Sequence, residues 1–327
     1  MLNLDFNKRL VFGGLRSYSK DSIDLRSIQI NEGIKIHTCN NYLKSLEVIK
    51  TASKGIENKV KIITKVYYKY PDINHNRFRP LIDQIDEIAE RLSFIPKDWS
   101  IQICSYCHPK DLIKENAVNF FYKIKKNYNI SQVFLETYPI YNYELKDINL
   151  VNKFYKKEIL FGLAAYQNLS NRIFSDKELN KFSSNSIPLY FIGVLGKGKT
   201  NQIKYSSDQL NTISHDEMLN INLIYFIKNI LINNLTKGIT QVNSQKHYYD
   251  LKNKYSYLKE LLLNKDLSNY LINNNNSKKY FFKNFDQYGA KYSIKSYIKN
   301  PKLFASKIKR KILLLNNRSY DFRNFWG

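Results

Sequence analysis

Cysteine, acidic residues and long hydrophobic runs are all scarce in this chain. Three cysteines, Cys39, Cys104 and Cys107, occur among 327 residues, which is too few for a disulfide framework and typical of a reducing cytoplasm. No apolar run approaches the ~18 residues that a membrane span needs. The first ten residues, MLNLDFNKRL, lack the apolar stretch of a signal peptide. We therefore expect a cytoplasmic protein that neither spans a membrane nor is secreted.

The shortage of acidic side chains leaves the chain strongly basic. Lysine and arginine number 52 against 28 aspartates and glutamates, a formal net charge of +24. Such a charge attracts polyanions of any kind. The lysines accompany an excess of asparagine, isoleucine and tyrosine, which indicates a compositional bias of the genome, so we predict no specific nucleic-acid partner.

Eight short apolar segments, rich in β-branched and aromatic residues, predict β-strands. They are Arg9–Gly14, Lys35–Cys39, Lys61–Val66, Trp99–Cys104, Ser131–Glu136, Leu160–Tyr166, Pro188–Val194 and Gly238–Val242. The intervals between them leave room for one helix each, and residues 81–92 and 219–230 carry apolar stripes at helical spacing. Alternating strands and helices predict parallel pairing and a closed (β/α)8 barrel. An open doubly wound sheet is the alternative, and the long seventh interval predicts an inserted loop.

The last part of the chain differs from the rest in composition. The asparagine-rich stretch Asn273–Asn276 predicts a linker, so we divide the chain into a barrel over residues 1–265 and a lysine-rich extension over residues 266–327. Within the extension, Asn300 and Pro301 predict the start of a helix. Its apolar face is ringed by lysine and arginine, so the helix either packs against the barrel or makes weak contact with an anionic membrane surface or polyanion.

Two short motifs in the sequence match patterns of other protein classes. Gly193–Thr200 fits the phosphate-binding pattern GxxxxGK[ST] and follows a predicted strand, but the residues after it are a poor helix start. Cys104, Cys107 and His108 have the spacing of a haem-attachment site, which normally forms outside the cytoplasm. Together with His37 and Cys39 they also offer ligands suited to zinc. We favour none of these three sites, the phosphate-binding loop, the haem-attachment site or the zinc site, and we predict no metal.

A third group of residues lies near the carboxyl ends of the second to fourth predicted strands. His37, Lys65 and His108 lie at or just beyond those ends, and Tyr42 follows the second strand. In a (β/α)8 barrel these ends meet at one mouth, where active sites form. Positive charge beside a phenol makes its proton easier to donate, so Tyr42 is a candidate proton donor.

The segments around these residues resemble the aldo-keto reductases. Glu32–Leu46 (EGIKIHTCNNYLKSL) is similar to the family's Gly-I-x-x-Asp-T-A-x-x-Tyr segment, and Ile62–Lys65 to its lysine strand. Leu81–Leu92 resembles the helix that follows, and Ser100–Pro109 (SIQICSYCHP) the strand that leads to the catalytic His-x-P. Weaker similarities follow in the family's order at Ala165–Arg172, Ile192–Gly198 and Ile239–Tyr248, so the resemblance covers most of residues 9–265.

The resemblance implies an NADP-dependent oxidoreductase that reduces a carbonyl or sugar-like small molecule. Tyr42 would supply the proton, Lys65 would make the Tyr42 hydroxyl more acidic, and His108 would orient the carbonyl oxygen. The cofactor would supply the redox chemistry and the protein would position it. The positions that match the family's cofactor contacts are Gly13 and Gly14 near the nicotinamide, Gly198 in the pyrophosphate loop, and Asn243, Ser244 and Lys246 near the 2′-phosphate.

The chain departs from the family at several of its functional positions. His37 stands where the family has its catalytic aspartate, so Lys65 loses that carboxylate as a partner. Glu136 and Thr137 stand where a Ser-Asn pair holds the nicotinamide amide. Three further cofactor contacts are replaced, by Leu163, Ile192 and Gln241. The alternative hypothesis is therefore a barrel that has lost cofactor turnover and acts as a binding or regulatory module.

Overall fold

Eight parallel strands close into a barrel in the computed structural model, which describes residues 4–13, 35–40, 43–67, 80–104, 107–137, 143–167, 173–195, 215–240 and 245–263. The strands are β1 (Leu10–Gly13), β2 (Lys35–Cys39), β3 (Lys61–Val66), β4 (Asp98–Ile103), β5 (Gln132–Thr137), β6 (Leu160–Tyr166), β7 (Leu189–Ile192) and β8 (Thr236–Thr240). Each strand pairs in parallel with the next, and β8 pairs with β1. The predicted (β/α)8 barrel is confirmed, and the open doubly wound sheet is excluded.

From β2 to β8, at least one helix lies between each pair of consecutive strands along the chain. The described helices are α1 (Phe6–Arg9), α2 (Leu43–Ser53), α3 (Leu81–Leu92), α4 (Pro109–Leu112), α5 (Glu115–Tyr128), α6 (Leu145–Phe154), α7 (Asp176–Ser184), α8 (His215–Ile232) and α9 (Gln245–Leu263), with a 3-10 turn at Glu57–Lys59. The last described helix thus ends two residues before the predicted barrel boundary. The basic extension, residues 266–327, lies outside the described residues.

Local sequence signals set the ends of the helices. The buried stripe of α3 repeats at helical spacing, and the helix ends where Ser93 adopts the left-handed conformation with φ of 61°. At the start of α7, Ser175 and Glu178 form a capping box in which each side chain accepts a hydrogen bond from the other residue's backbone N–H. These caps satisfy backbone groups that the helix itself leaves without partners.

The hydrophobic core has two layers, one inside the barrel and one between the strands and the helices. The inner layer consists of Val11, Ile63, Phe134, Ala164, Tyr190, Ile192 and Ile239. Within it, the rings of Phe134 and Tyr190 meet edge to face with centroids 4.1 Å apart. The outer layer holds most of the apolar residues of the strands and the helices. Because both faces of each strand are buried, the strands read as nearly continuous apolar runs.

Several strand ends differ from the sequence prediction, most of them by one residue, and two of the larger differences, in β7 and β8, have identifiable reasons. β7 ends at Ile192 because Gly193 turns the chain with φ of 67°, a conformation that glycine adopts readily. β8 begins at Thr236, two residues before the predicted start, because Thr236 and Lys237 pair with Leu189 and Tyr190 of β7. Residues 196–214, which hold most of the predicted insertion and of the GxxxxGK[ST] match, lie outside the described residues.

None of the described helices combines the length and the apolar character that crossing a bilayer demands.

Candidate active site

Four polar side chains from consecutive strands line the inside of the barrel near its carboxyl end. They are His37 of β2, Lys65 of β3, Gln102 of β4 and Glu136 of β5. Alternate residues of a strand face the same side. Lys65 and Glu136 share that side with the inner-core residues Ile63 and Phe134. The strand register places His37 beside Ile63 and Gln102 beside Phe134. The four strands therefore place one polar group each at the mouth of the barrel.

A hydrogen-bonded chain connects three of these groups. His37 Nε2 lies 3.0 Å from Gln102 Oε1, and Gln102 Nε2 donates to Glu136 Oε2 at 3.2 Å. An amide oxygen only accepts, so His37 Nε2 carries the proton and donates it. His37, Gln102 and Glu136 are each at most 3% exposed. These hydrogen bonds orient the His37 imidazole and the Glu136 carboxylate, which are both almost fully buried.

Burial and Lys65 together keep His37 uncharged. Burial lowers the pKa of His37, and the nearby Lys65 ammonium lowers it further, to about 3, despite the opposing hydrogen bond that His37 donates to Gln102. The imidazole is therefore neutral near neutral pH. Lys65 itself is 8% exposed. The structure thus brings His37 and Lys65 together, and the imidazole of this pair carries no charge near neutral pH.

Cys104 follows β4 and lies next to the same polar groups. Its Sγ accepts from Gln102 Nε2 at 3.6 Å. Burial raises the pKa of the Cys104 thiol, the Glu136 carboxylate raises it further, and the Lys65 ammonium acts in the opposite direction. The thiol is therefore protonated at neutral pH, and Cys104 lies within electrostatic reach of both Lys65 and Glu136.

Gly13 ends β1 beside the histidine. A Cβ at this position would lie 3.6 Å from His37 Nδ1 and would collide with the Ile239 side chain. The space beside the Gly13 backbone is thus occupied by Ile239 of β8. Packing between β1 and β8 therefore requires a glycine at this position. This is a second reason for Gly13, beside the cofactor contact that the resemblance implies.

His108 lies beyond the end of β4, at the start of the short helix α4. It is the N-cap residue, and its Nδ1 accepts a hydrogen bond from the Lys110 backbone N–H at 3.2 Å. In the neutral imidazole this leaves the proton on Nε2. His108 therefore presents an N–H donor, the group needed to orient a carbonyl oxygen.

The other predicted site residues fall into two groups. Among the described ones, Thr137 is buried at the end of β5, Ile192 faces the inside of the barrel, and Lys246 is exposed in the first turn of α9. Leu163 belongs to the outer core layer, so it faces the helices and not the interior. The remaining positions lie outside the described residues; they are Gly14, Tyr42, Gly198, Gln241, Asn243 and Ser244.

The candidate zinc ligands do not come together. His37, Cys39, Cys104, Cys107 and His108 are all described, yet the described part of the chain holds no group of three or more such ligands placed to bind a metal. None of these three cysteines forms a disulfide. Cys107 is buried in the outer core, where burial raises the pKa of its thiol. This residue serves the packing of the segment between β4 and α4.

Sequence reasoning missed Gln102 and the place of Cys104 in the polar network. A signal was present, because Ser100, Gln102 and Cys104 alternate with Ile101 and Ile103 along β4. Strict alternation usually indicates that one strand face is solvated. In this barrel the polar face of β4 points to the interior, which only the closure of the sheet determines.

The comparisons with known proteins give a match at the level of three-dimensional structure. No protein-family model and no curated protein sequence matches the chain. The fold is similar to an aldo-keto reductase from Klebsiella pneumoniae in complex with NADPH, with a TM-score of 0.52 and 14% identity over 76% of this chain and 85% of that one. It is also similar to an aldo/keto reductase from the same organism in complex with NADP and acetate, with a TM-score of 0.51 and 14% identity over 77% and 90%. The chain therefore has the (β/α)8 fold that these aldo-keto reductases share.

Proposed function

We propose that the protein is an NADP-dependent oxidoreductase of the aldo-keto reductase type that reduces a carbonyl or sugar-like substrate. The observation that carries the proposal is the buried Lys65 at the barrel mouth, beside the neutral His37 and on the strand next to Gln102. A buried ammonium at the carboxyl end of barrel strands is suited to acid–base work on a neighbouring group. The NADPH named for the similar Klebsiella structure supports the choice of cofactor.

In the proposed reaction, the carbonyl carbon gains a hydride and the carbonyl oxygen gains a proton, which gives an alcohol. A bound nicotinamide cofactor would supply that hydride and would itself be oxidised. Tyr42 donates the proton, and the Lys65 ammonium stabilises the tyrosinate that remains. Solvent then returns a proton to Tyr42, so the protein ends each turnover unchanged.

His108 is proposed to orient the substrate in this reaction. Its Nδ1 accepts from the Lys110 backbone, so its Nε2–H is the available donor toward a carbonyl oxygen. A donor aimed at the oxygen that becomes negative lowers the barrier without itself losing a proton. Lys65 and His108 therefore have different tasks, one toward Tyr42 and one toward the substrate.

The described residues fit a nicotinamide cofactor through two polar groups. The Glu136 carboxylate, at the inner end of β5, offers acceptor oxygens for the N–H groups of the carboxamide. Lys246 is exposed in the first turn of α9, where a lysine and a helix N-terminus both favour the 2′-phosphate. Thr137 ends the same strand as Glu136, and Gly13 ends β1.

Cofactor titration and turnover measured together test the proposal. NADPH added to the purified protein should quench tyrosine and tryptophan fluorescence at micromolar to millimolar concentrations. NADPH oxidation should then depend on an added aldehyde or aldose. Tyr42→Phe should lower turnover at least about a hundredfold, the size of a general acid–base contribution, while Tyr122→Phe on exposed α5 should leave it unchanged. Failure to bind at millimolar cofactor would contradict the proposal.

The binding or regulatory module remains the second candidate because of Glu136. A carboxylate and a protonated Cys104 thiol share the mouth with Lys65, an arrangement that departs from the family at its cofactor contacts. This candidate predicts that neither NADPH nor NADP binds and that Tyr42→Phe changes nothing measurable. Turnover abolished by that substitution would exclude it.

A further inference from the structure

The amino-terminal ends of the strands collect charged side chains at the opposite end of the barrel from the candidate active site. Lys35, Lys61 and Asp98 are the first residues of β2, β3 and β4, and the strand register places them side by side. Lys237, the second residue of β8, faces the same interior. Arg9 precedes β1 nearby and donates to the Asn234 and Thr236 carbonyl oxygens. This group, excluding Arg9, is called the floor cluster below.

One of the three lysines uses the single carboxylate of the floor cluster. Lys35 Nζ donates to Asp98 Oδ1 at 2.9 Å and to Ser100 Oγ at 2.8 Å. Lys35 is 3% exposed, so this pair is a fixed part of the structure. Within the described residues, Lys61 and Lys237 form no ion pair. Three ammonium groups therefore face one carboxylate, and two positive charges remain uncompensated.

Lys237 experiences both burial and repulsion from the neighbouring positive charges. Burial lowers the pKa of Lys237, and the Lys35 ammonium lowers it further, to about 8. Lys61 and Arg9 act in the same direction, while Asp98 opposes them. An anion at the floor cluster would remove this repulsion and stabilise the charged form of Lys237.

A buried hydroxyl without a partner lies at the same place. Tyr190 of β7 is 2% exposed, and its Oη has no hydrogen-bond partner. Lys237 Nζ lies 5.8 Å from the centre of its ring, and the Asp98 carboxylate acts on its phenol group. Buried hydroxyls are nearly always hydrogen-bonded in proteins, so the Tyr190 hydroxyl is a donor available to a group bound at this site. The Asp98 side chain is 40% exposed, so solvent reaches the cluster.

We propose that the floor cluster binds a small phosphate-type oxyanion, with Lys61 and Lys237 as its cations and the Tyr190 hydroxyl as a hydrogen-bond donor. The two uncompensated charges match the charge of about −2 on a phosphate group. Lysine binds phosphate as a point charge, and a phenol supplies one directed donor. Lys35 holds the Asp98 carboxylate at 2.9 Å, which reduces its repulsion of the anion. The site is independent of the proposed reductase activity, because it lies at the other end of the strands.

Calorimetric titration of the full-length protein with inorganic phosphate tests this proposal, with sodium chloride at equal ionic strength as the reference. We expect saturable binding that Lys61→Met/Lys237→Met weakens at least tenfold. The matched control, Lys123→Met/Lys126→Met on the exposed face of α5, removes the same charge and should bind like the parent protein. Equal losses in both double variants would mean diffuse attraction to a basic surface and would overturn the proposal, as would the absence of saturable binding.

Tyr190→Phe keeps the test decisive if the double variant does not fold. It removes only the unpartnered hydroxyl and no charge, so folding should persist, and we expect phosphate affinity to fall several-fold. Unchanged affinity in this variant would contradict the proposed donor. A parallel titration with methyl phosphate distinguishes the source of the ligand. Binding of inorganic phosphate alone indicates the free ion, while binding of the ester indicates a phosphorylated metabolite.

Discussion

His37 is held neutral by burial and by the Lys65 ammonium, while Gln102 orients its ring. Gln102 accepts its Nε2 proton at 3.0 Å and fixes the ring, while Lys65 and burial disfavour a second proton. A histidine at the position of a carboxylate adds a second positive charge only if it is protonated. Because it is not, the mouth of the barrel holds the Lys65 ammonium and the Glu136 carboxylate without a third charge from His37.

The His37 pKa makes the stability of the protein depend on pH. An unfolded histidine titrates near 6.5, and the folded His37 titrates at about 3. Between these values the unfolded chain binds one proton more, so the free energy of unfolding falls as the pH is lowered from 6.5 toward 3. His37→Gln should reduce this pH dependence by about 1 kcal/mol per pH unit. Urea denaturation at several pH values from 7 to 4 measures it.

The variant keeps a side chain that can donate to Gln102 Oε1, so its fold should persist. Stability curves for the parent protein and His37→Gln that remain parallel from pH 7 to 4 would show that His37 takes up its proton in the folded state.

At the scale of the strands, β6 shows how closely the barrel interior is packed. Gly162 lies between β5 and the start of β7, and a Cβ there would lie 2.7 Å from Pro188 Cγ and 2.8 Å from Phe134 Cε1. It would also meet the Pro188 carbonyl oxygen, which belongs to the backbone and cannot rotate away. The large Phe134 and Tyr190 rings fill the interior because β6 contributes only Gly162 and Ala164 beside them.

Gly162→Ala should therefore destabilise the barrel. Overpacking a well-filled core costs about 1–3 kcal/mol, and the backbone contact predicts a value toward the upper end. Chemical denaturation measures the loss. Lys177→Ala on the exposed face of α7 is the control and should change the free energy of unfolding by less than about 0.5 kcal/mol. A Gly162→Ala protein as stable as its parent would show that β6 and β7 can separate at little cost.

Across the whole molecule, the two ends of the barrel differ in electrostatic character. The carboxyl end combines Lys65 with Glu136 and the neutral His37, whereas the amino end carries an excess of positive charge. The basic extension, residues 266–327, adds further lysines and arginines. We propose that this extension makes weak contact with anionic surfaces.

Vesicle binding by the full-length chain tests that contact. Substituting Lys307, Arg310 and Lys311 with Gln should weaken retention on phosphatidylserine vesicles, since each cation near such a surface contributes about 1 kcal/mol. Substituting Lys123, Lys126 and Lys177, all exposed on barrel helices, is the control with equal charge. Retention should also fall as salt is added. Equal effects of the two triple substitutions would assign the attraction to net charge alone.

Much of the fold could be predicted because apolar periodicity is a local property. Burial on both faces requires apolar runs, and such runs predicted all eight strands. Burial on one face requires an apolar stripe, and such stripes predicted the helices at residues 81–92 and 219–230. The (β/α)8 barrel follows from their alternation. Gln102 could not be recognised in the same way, since a strand pattern does not say which of its faces becomes the interior.

The order of strands and helices, and the residue types at the mouth of the barrel, could be recognised in the amino-acid sequence, because both depend on near neighbours along the chain. Which side chains meet depends on the three-dimensional fold. Strand closure brought His37, Gln102 and Glu136 into one hydrogen-bonded chain, and it gathered Lys61, Lys237 and Tyr190 at the other end. These residues are distant in sequence, and their protonation depends on burial and on charges from other strands.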